Sequence, residues 1–539
     1  MNLEALVAGR LAAALAAVAG EPVDPQVRRS QHADFQSGAA LPLARTLRRP
    51  PREIAADVVA RADLAGVARA EVAGPGFVNL TLDDGFLGDR LNEPWRQPRT
   101  PDPRTVVIDY SAPNVAKDLH VGHLRSTVIG DAAAQVLEWL GHDVRRANHL
   151  GDWGTPFGML IEHLGDGGDA GIGDLTAFYR AARTRFDADP EFRDRARRRV
   201  VTLQAGDPES GKLWRTLVDE SQRRFLAVYD RLGVTLTGGD FVGESAYNDL
   251  LPSVVADLDA KGLLRVSDGA LCAFPAGFPG RDGRPQPLIV RKSDGGFGYA
   301  ATDLAALRHR VRNLGATRLL YVVGSPQRMH FAMVFAVARA AGWLPDGVTA
   351  EHVAFGAVLG PDGKMFRSRS GDPVPLAALL DEADRRATAP EIGIGAIKYA
   401  DLSADRLSDS IFDWDRMLAP TGNTGPYLQY AHARIRSLAE RVGEPPGRVL
   451  ITEPAEHTLA RELLGFVPMV ERVARTLELH RLAGHLYAVA VAFSAFYERC
   501  PVARAEPEVR RSRLALCERT ARTLREGLGL LGIAAPDRL

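Results

Sequence analysis

Lysine is scarce in this chain. Only six of the 67 basic residues among its 539 are lysines, and the formal net charge is zero. A chain without net charge has no overall field to attract a polyanion, so local arginine clusters would have to bind any nucleic acid. Two of the six lysines, Lys117 and Lys364, fall inside the two basic signature motifs described below. A compact, rotatable ammonium meets phosphate oxygens differently from a planar guanidinium, which favours a phosphate-binding role for both.

Cysteines and long apolar runs are rare as well. The three cysteines, Cys272, Cys500 and Cys517, lie far apart, which argues against a disulfide framework or a zinc site and is typical of the cytoplasm. We therefore expect a cytoplasmic protein without a bound metal. No run of 18 apolar residues occurs, so we expect no membrane span. The alanine-rich stretch 11–20 follows Glu4 rather than a basic segment, which predicts a first helix and not a signal peptide.

The length suggests about three domains. Prolines concentrate in a predicted linker at 94–104, after a small N-terminal α+β domain at 1–93. Short apolar runs alternate with helical patterns over 105–392, which predicts an α/β domain with a doubly wound parallel sheet. A stretch rich in Arg and Asp at about 174–232 reads as a helical insertion in it. Only helical patterns follow at 393–539, and they predict an all-α bundle.

The most informative motif is Ser111-Ala-Pro-Asn-Val-Ala-Lys-Asp-Leu-His120-Val-Gly-His123, which follows an apolar run. It places two imidazoles and Gly122 where a predicted strand passes into a predicted helix. Such a junction offers unpaired N–H groups and a partial positive charge to a phosphate, and a glycine lets a flat base approach the backbone. The motif therefore predicts a nucleotide site, although His-x-Gly-His alone fits two polar residues capping a helix equally well.

This run resembles the HIGH signature of class I aminoacyl-tRNA synthetases, in the extended form of the arginyl-tRNA synthetases. Five further segments match that family in the same order along the chain. They are 148–155, 292–306, 321–331, 363–371 and 422–434. The resemblance implies a Rossmann-like catalytic sheet that uses ATP, with its Mg²⁺, to activate L-arginine as arginyl-adenylate. The arginyl group then passes to the 3′ end of tRNA(Arg), with release of AMP and pyrophosphate. We expect a monomer.

The resemblance also assigns the residues that act on ATP. It implies catalytic roles for Lys117, His120, His123, Lys364 and Arg367. Gly122 and His330 join the histidines and the loop residues in the ATP site, with His330 beside the adenosine. The family-wide Lys-Met-Ser-Lys-Ser loop has Arg367 at its second basic position here, and Lys117 is implied to take over that role. Residues 360–363 would supply the hinge of a mobile loop, and a solvated basic surface loop is the alternative.

Tyr299 and Asp303 are four residues apart, so both fall on one face of a predicted helix. A carboxylate there can bind a guanidinium through two hydrogen bonds while the ring lies against its plane. Without the resemblance, an aspartate in a first turn is as well explained by the helix dipole. The resemblance assigns Asp109, Tyr299 and Asp303 to the guanidinium. It assigns Ser111, Asn114 and Gln327 to the α-amino end.

Binding of tRNA is assigned by resemblance alone. The segment 32–38 resembles the part of the family that meets the tRNA elbow, which gives Phe35 and Gln36 that role and lets Phe35 stack on a base. Tyr427, Tyr430 and Arg434 complete the predicted tRNA-binding set. The resemblance makes the helical part 393–539 the anticodon-binding domain. Gly38 replaces a usual asparagine, and Leu539 stands where a terminal methionine beside the anticodon is common.

One segment has two interpretations, and two alternative functions compete with the leading one. The segment 151–154 forms either a pocket wall or a tight turn packed by Trp153, and Pro156 replaces a usual glutamine after it. A cysteinyl enzyme would need zinc ligands that the sequence lacks. A specialised or regulatory paralogue with altered tRNA recognition is the second alternative. We also expect arginine activation to require bound tRNA, as in the family.

Overall fold

The computed structural model of the chain describes residues 2–167, 174–280, 283–367 and 373–538. Leu539 lies outside the described residues, and so do residues 368–371 of the basic loop motif.

The N-terminal part is a small antiparallel sheet covered by helices. Its elements are α1 Leu3–Ala19, β1 Val27–Arg29, β2 Phe35–Ser37, α2 Ala40–Leu47, α3 Pro51–Arg61, β3 Ala68–Ala73, β4 Phe77–Leu82 and α4 Asp84–Asn92. The strand order is β1-β2-β4-β3. The alanine-rich stretch forms α1 as predicted, with Val7, Leu11 and Leu15 buried. A hairpin joins β3 to β4 through Gly76, whose φ of 142° suits glycine.

A five-stranded parallel sheet forms the centre of the molecule. The elements up to the insertion are β5 Thr105–Asp109, α5 Val121–Trp139, β6 Asp143–Leu150 and α6 Thr155–Gly165. The insertion consists of α7 Leu175–Ala188, α8 Pro190–Gln204 and α9 Pro208–Leu232. After it come β7 Phe241–Gly243, α10 Leu251–Ala260, β8 Leu264–Ser267, β9 Ala270–Ala273, β10 Leu288–Arg291, α11 Tyr299–Arg312, β11 Arg318–Tyr321, α12 Arg328–Ala340 and β12 Thr349–His352.

The central sheet has the order β12-β11-β5-β6-β7. Along β5, Val106 and Ile108 face one core while Val107 faces a second core on the other side. Because successive side chains of a strand point to opposite faces, this strand must be apolar throughout, which is the pattern of a sheet covered on both sides. The predicted doubly wound sheet is therefore confirmed. In such a sheet, ligands bind at the carboxyl ends of the strands.

A second insertion, which the sequence pattern did not indicate, lies between α10 and α11. Strands β8, β9 and β10 form a separate antiparallel sheet between α10 and α11. The strands are only four residues long, and Asp268 and Gly269 turn the chain with φ values of 49° and 77°. Such short runs between turns are hard to distinguish from loop by periodicity.

The remainder of the chain is mostly helical. Its elements are β13 Val358–Leu359, α13 Leu376–Arg386, α14 Pro390–Leu402, β14 Ser410–Ile411, α15 Trp414–Met417, α16 Gly425–Val442, α17 Pro454–Leu464, α18 Phe466–Thr476, α19 Leu479–Arg499 and α20 Pro507–Leu530. The bundle α16–α20 shares a continuous apolar core with α5 and the N-terminal helices. None of the helices in the described part of the chain combines the length and the apolar character that crossing a bilayer requires.

Candidate active site

The loop after β5 is strained and held from several sides. Ser111, Ala112 and Ala116 have φ values of 70°, 46° and 61°, which non-glycine residues rarely adopt. The Ser111 hydroxyl lies 2.6 Å from the Tyr229 hydroxyl of α9, and the Ala112 N–H donates to Asn148 Oδ1 of β6. Such strain persists only where surrounding contacts over-determine it. The insertion and β6 therefore shape this loop.

Gly151 lies against the same loop. Its N–H donates to the Pro113 carbonyl and its carbonyl accepts from the Val115 N–H, so the two segments pair like strands. A Cβ at position 151 would collide with Asn114 Oδ1. The segment 151–154 is thus a turn and also a wall beside Asn114, and Pro156 fits without difficulty within the first turn of α6.

His120 and His123 form a reciprocal cap on α5. His120 Nδ1 accepts from the Gly122 N–H, and His123 Nδ1 accepts from the His120 N–H, both at 3.1 Å. A Cβ at position 122 would lie within 3 Å of the His120 ring. Gly122 is therefore needed because the imidazole folds over the helix start, which is a different reason from the approach of a flat base.

The hydrogen bonds at the start of α5 contradict the expectation that its N–H groups are unpaired and available to a phosphate. The Val121 N–H donates to the Val374 carbonyl, and the His123 N–H to the His120 carbonyl. Together with Gly122, the first three N–H groups of α5 already have acceptors within the protein. These groups cannot also bind a phosphate in this arrangement, so the donors must come from side chains.

Both imidazoles are neutral near neutral pH. Burial lowers the pKa of His123 to about 3, and the charges of His120 and Lys117 add to the effect. Burial and the charge of Lys117 also lower the pKa of His120. Since each Nδ1 accepts a hydrogen bond, each neutral ring carries its proton on Nε2. The two rings, 4.0 Å apart, therefore keep one Nε2–H donor each.

The second basic motif folds as a tight hairpin. The Gly360 N–H donates to the Lys364 carbonyl at 2.7 Å, and Gly363 has a φ of 74°. The segment 360–363 therefore forms a turn in this structure, and its role as the hinge of a mobile loop stays a prediction. Beyond the hairpin, the Leu376 N–H donates to the Leu119 carbonyl. Exposed Arg367 pairs with Pro373, and Pro375 pairs with His120, so the segment after the hairpin links it to the start of α5.

Tyr299 and Asp303 lie on α11 as expected, on one face of its first turns. The Tyr299 side chain is highly exposed, and Asp303 Oδ2 lies 2.6 Å from His330 Nε2. His330 was assigned to the adenosine, but here it contacts the residue assigned to the guanidinium. Gln327 is exposed at the end of a short 3₁₀ turn just before His330.

Two residues assigned to arginine binding are already occupied. Asp109 Oδ2 accepts from Arg310 Nη2 at 2.7 Å, and both side chains are buried. Burial opposes the charge of Arg310, yet the charge of Asp109 holds its pKa well above the ordinary value. The Ser111 hydroxyl is enclosed between Tyr229 and Thr127. We therefore remove the Asp109 carboxylate and the Ser111 hydroxyl from the substrate contacts.

Glu244 is a candidate that the sequence analysis missed. It follows β7 at the carboxyl edge of the sheet. Burial raises the pKa of Glu244 to about 8, and the charges of Asp303 and Asp152 add to the shift. A half-buried carboxyl close to the negative charge of Asp303 is suited to binding a cation. Its position after a parallel strand was the available signal, but the strand of three residues was too short to recognise.

The residues assigned to tRNA differ in accessibility. Phe35 is only 4% exposed, so its ring belongs to the core and cannot stack on a base in this conformation. Alternation along β2 turns Gln36 outward instead, where its Nε2 donates to Asn79 Oδ1. Around Gly38 a Cβ would meet nothing closer than 3.5 Å, so an asparagine fits there sterically.

Tyr427, Tyr430 and Arg434 lie on α16, spaced to share one face. Arg434 is exposed and lies over the Tyr497 ring of α19, while the Tyr427 hydroxyl lies 3.2 Å from Ser494 Oγ. A helix face with an exposed arginine and half-buried tyrosine rings suits a single-stranded nucleic acid.

The sequence predicts neither a metal site nor a disulfide for the described ranges. There, no group of three or more His, Cys, Asp or Glu side chains is arranged to hold a metal ion. All three cysteines are buried free thiols.

Comparisons with known proteins bear on all of these regions. Three family profiles match: "Arginyl tRNA synthetase N terminal domain" at 2–82, "tRNA synthetases class I (R), catalytic domain" at 89–391 and "DALR anticodon binding domain" at 428–539. The arginine–tRNA ligase of Thermobifida fusca is 51% identical, with 99% of both chains covered. That of an Escherichia coli strain is 46% identical over the full length of both. The Thermus thermophilus arginyl-tRNA synthetase structure covers 100% of both chains with a TM-score of 0.81 at 27% identity.

Proposed function

The chain belongs to the arginyl-tRNA synthetase family and is an arginine–tRNA ligase, and we propose that Asp303, Tyr299 and Glu244 bind the arginine side chain. The observation that carries this proposal is the pair of carboxyl groups Asp303 and Glu244 at the carboxyl edge of the sheet, where the charge of Asp303 helps to raise the pKa of Glu244. Neither is neutralised by an arginine of the described protein, whereas Asp109 is.

The guanidinium would lie between the carboxyl groups of Asp303 and Glu244. Asp303 can accept two of its N–H groups, and Tyr299 can lie against the guanidinium plane. His330, which now contacts Asp303, would fix the orientation of that carboxylate. Asn114 and Gln327, both exposed near the ends of β5 and β11, are the proposed partners of the α-amino group.

Activation requires the arginine carboxylate to attack the α-phosphate of ATP, with pyrophosphate as the leaving group. No covalent protein nucleophile is needed, so the rate depends on placement and on stabilising the charge that develops. We propose that His120 and His123 donate their Nε2–H groups to phosphate oxygens. Lys117, Lys364 and Arg367 supply the positive charge around the triphosphate, and Mg²⁺ arrives with ATP as part of the substrate.

The second step moves the arginyl group from the adenylate to the terminal ribose of tRNA, releasing AMP. Gln36 on β2 and the face of Tyr427, Tyr430 and Arg434 on α16 are the proposed tRNA contacts. The relatives share the name arginine–tRNA ligase over their whole length, and no observation supports the alternative of a regulatory paralogue. We propose a cytoplasmic monomer, in keeping with three free thiols. Sedimentation of the pure protein tests the oligomeric state.

Replacement of Asp303 tests the guanidinium site. We expect Asp303→Asn to lower kcat/KM for arginine in tRNA charging by about 10³-fold or more, because a buried charged contact is lost. Asp346→Asn, at an exposed turn after α12, is the matched control and should charge normally. Near-normal charging of arginine by Asp303→Asn would show that the guanidinium binds elsewhere.

A further inference from the structure

The helical insertion contacts consecutive residues of the signature loop. Ser221 Oγ of α9 accepts from the Ala116 N–H at 2.9 Å. Thr176 Oγ1 of α7 donates to Asp118 Oδ2 at 2.8 Å. Lys117, which lies between these two anchored residues, is thus bracketed by the insertion on both sides. Since Ala116 has a left-handed backbone, the direction in which Lys117 leaves the loop depends on these contacts.

The Lys117 ammonium itself lies on an aromatic ring of the insertion. Its Nζ is 4.5 Å from the centre of the Tyr179 ring, on α7. Within the described residues, Lys117 makes no salt bridge, so the ring face is the partner of its ammonium. The ammonium also lies close enough to both signature histidines for its charge to lower their pKa values.

We propose that Tyr179 is a positioning residue for Lys117, holding the ammonium toward the phosphates of ATP through a cation–π contact. This inference rests on the role proposed above for Lys117 in activation. The insertion then contributes to arginine activation, because Tyr179 on α7 acts through Lys117.

An aromatic ring is suited to this task. A lysine side chain has four rotatable bonds and loses much conformational freedom when its ammonium is held in one place. A ring face restricts it through a weak electrostatic attraction. An acidic partner would neutralise the ammonium and compete with phosphate, whereas a neutral ring leaves the positive charge available.

Substitutions at Tyr179 test the proposal, with arginine-dependent ATP–pyrophosphate exchange measured in the presence of tRNA(Arg). We expect Tyr179→Leu to lower kcat by about tenfold with KM for arginine unchanged, the scale of a partly desolvated cation–π contact. Tyr179→Phe keeps the ring and should retain most of the rate. An unchanged or raised rate in Tyr179→Leu, or equal losses in both variants, would overturn the proposal.

A double-mutant cycle separates this proposal from the one on which it rests. In a Lys117→Met background, Tyr179→Leu should cause no further loss, because the ammonium is gone. A further tenfold loss there would mean that Tyr179 acts through packing, and would overturn the proposal. If Lys117→Met alone left the rate unchanged, the proposed role of Lys117 in activation would be contradicted.

Two further measurements guard against a folding defect. Phe186 lies seven residues on from Tyr179 along α7 and contacts the guanidinium groups of Arg183 and Arg193, so Phe186→Leu is the matched control and should keep its rate. Phenylalanines with increasing numbers of fluorines at position 179 preserve shape while weakening the ring face. We expect kcat to fall steadily along that series, and a flat series would contradict the cation–π contact.

Discussion

At the scale of single residues, Lys364 lies in the hairpin that β-pairing brings beside the start of α5. We predict that Lys364→Ala lowers the rate of adenylate formation by about 10²–10³-fold, the usual effect of removing one donor to a transition-state charge. Binding of arginine should change little, because the proposed partner of this lysine is the triphosphate of ATP and not the amino acid. Single-turnover kinetics measures both.

Lys212→Ala, an exposed lysine on α9, is the control for Lys364. A loss of less than about threefold in Lys364→Ala would remove this lysine from the transition state, because one such donor is expected to contribute far more.

Glu244 should make arginine binding depend on pH. Burial raises its pKa to about 8, so below that pH the carboxyl is largely protonated in the free protein. A guanidinium binds the ionised form better, so binding must displace a proton at lower pH. We predict that KM for arginine falls by about three- to tenfold as pH rises from about 6.5 to about 8, and levels off above.

Glu244→Gln, which cannot ionise, should lack this slope while still binding arginine more weakly. Measuring KM across the same pH range for the two proteins isolates the contribution of Glu244. A slope that persists in the variant would assign the titration to another group.

At the scale of elements, α17 joins the N-terminal unit to the helical bundle through a charged contact. His457 Nε2 lies 2.9 Å from Asp34 Oδ2 and its Nδ1 lies 2.6 Å from Asp84 Oδ1. Arg461 binds the other oxygen of Asp34. The hydrogen bond to Asp34 raises the pKa of His457, which means that the protonated ring stabilises the folded chain.

This stabilisation is complete below the ordinary histidine pKa of about 6.5 and is lost as pH rises through the higher folded-state value. We predict that His457→Gln lowers the thermal midpoint by about 2 °C near pH 6 and by less near pH 9. His32→Gln, an exposed histidine of the same unit, is the control. Equal losses for His457→Gln at both pH values would show that the charge of the ring is not involved.

Elements with strong local patterns were predictable from the sequence. The insertion expected at 174–232 is the run α7–α9, and the helix bearing Tyr299 and Asp303 is α11. Errors arose where the pattern is only a few residues long. Phe35 lies in a strand of three residues, and its burial depends on strand parity that so short a segment does not reveal.

At the scale of the whole molecule, the unpredicted features are contacts between distant segments. Asp109 and Arg310 are 201 residues apart, and only their meeting in the core shows that the carboxylate is already occupied. Likewise, Lys117 and Tyr179 lie in different segments, and only the packing of α7 against the signature loop brings them together. Sequence motifs singled out candidate polar residues, but whether each of them can contact substrate or is already paired within the protein depends on the packing of the complete chain.

We propose that ionised carboxyl groups select arginine by its charge. The most direct test is charging of tRNA(Arg) by the unmodified protein with arginine and with citrulline, which has nearly the same shape without the charge. The account predicts kcat/KM for arginine about 10⁴-fold above that for citrulline, as for sites built around a polar group that is left unpaired by the wrong substrate. Discrimination of less than about 100-fold would place the guanidinium outside a carboxylate pocket and contradict the account.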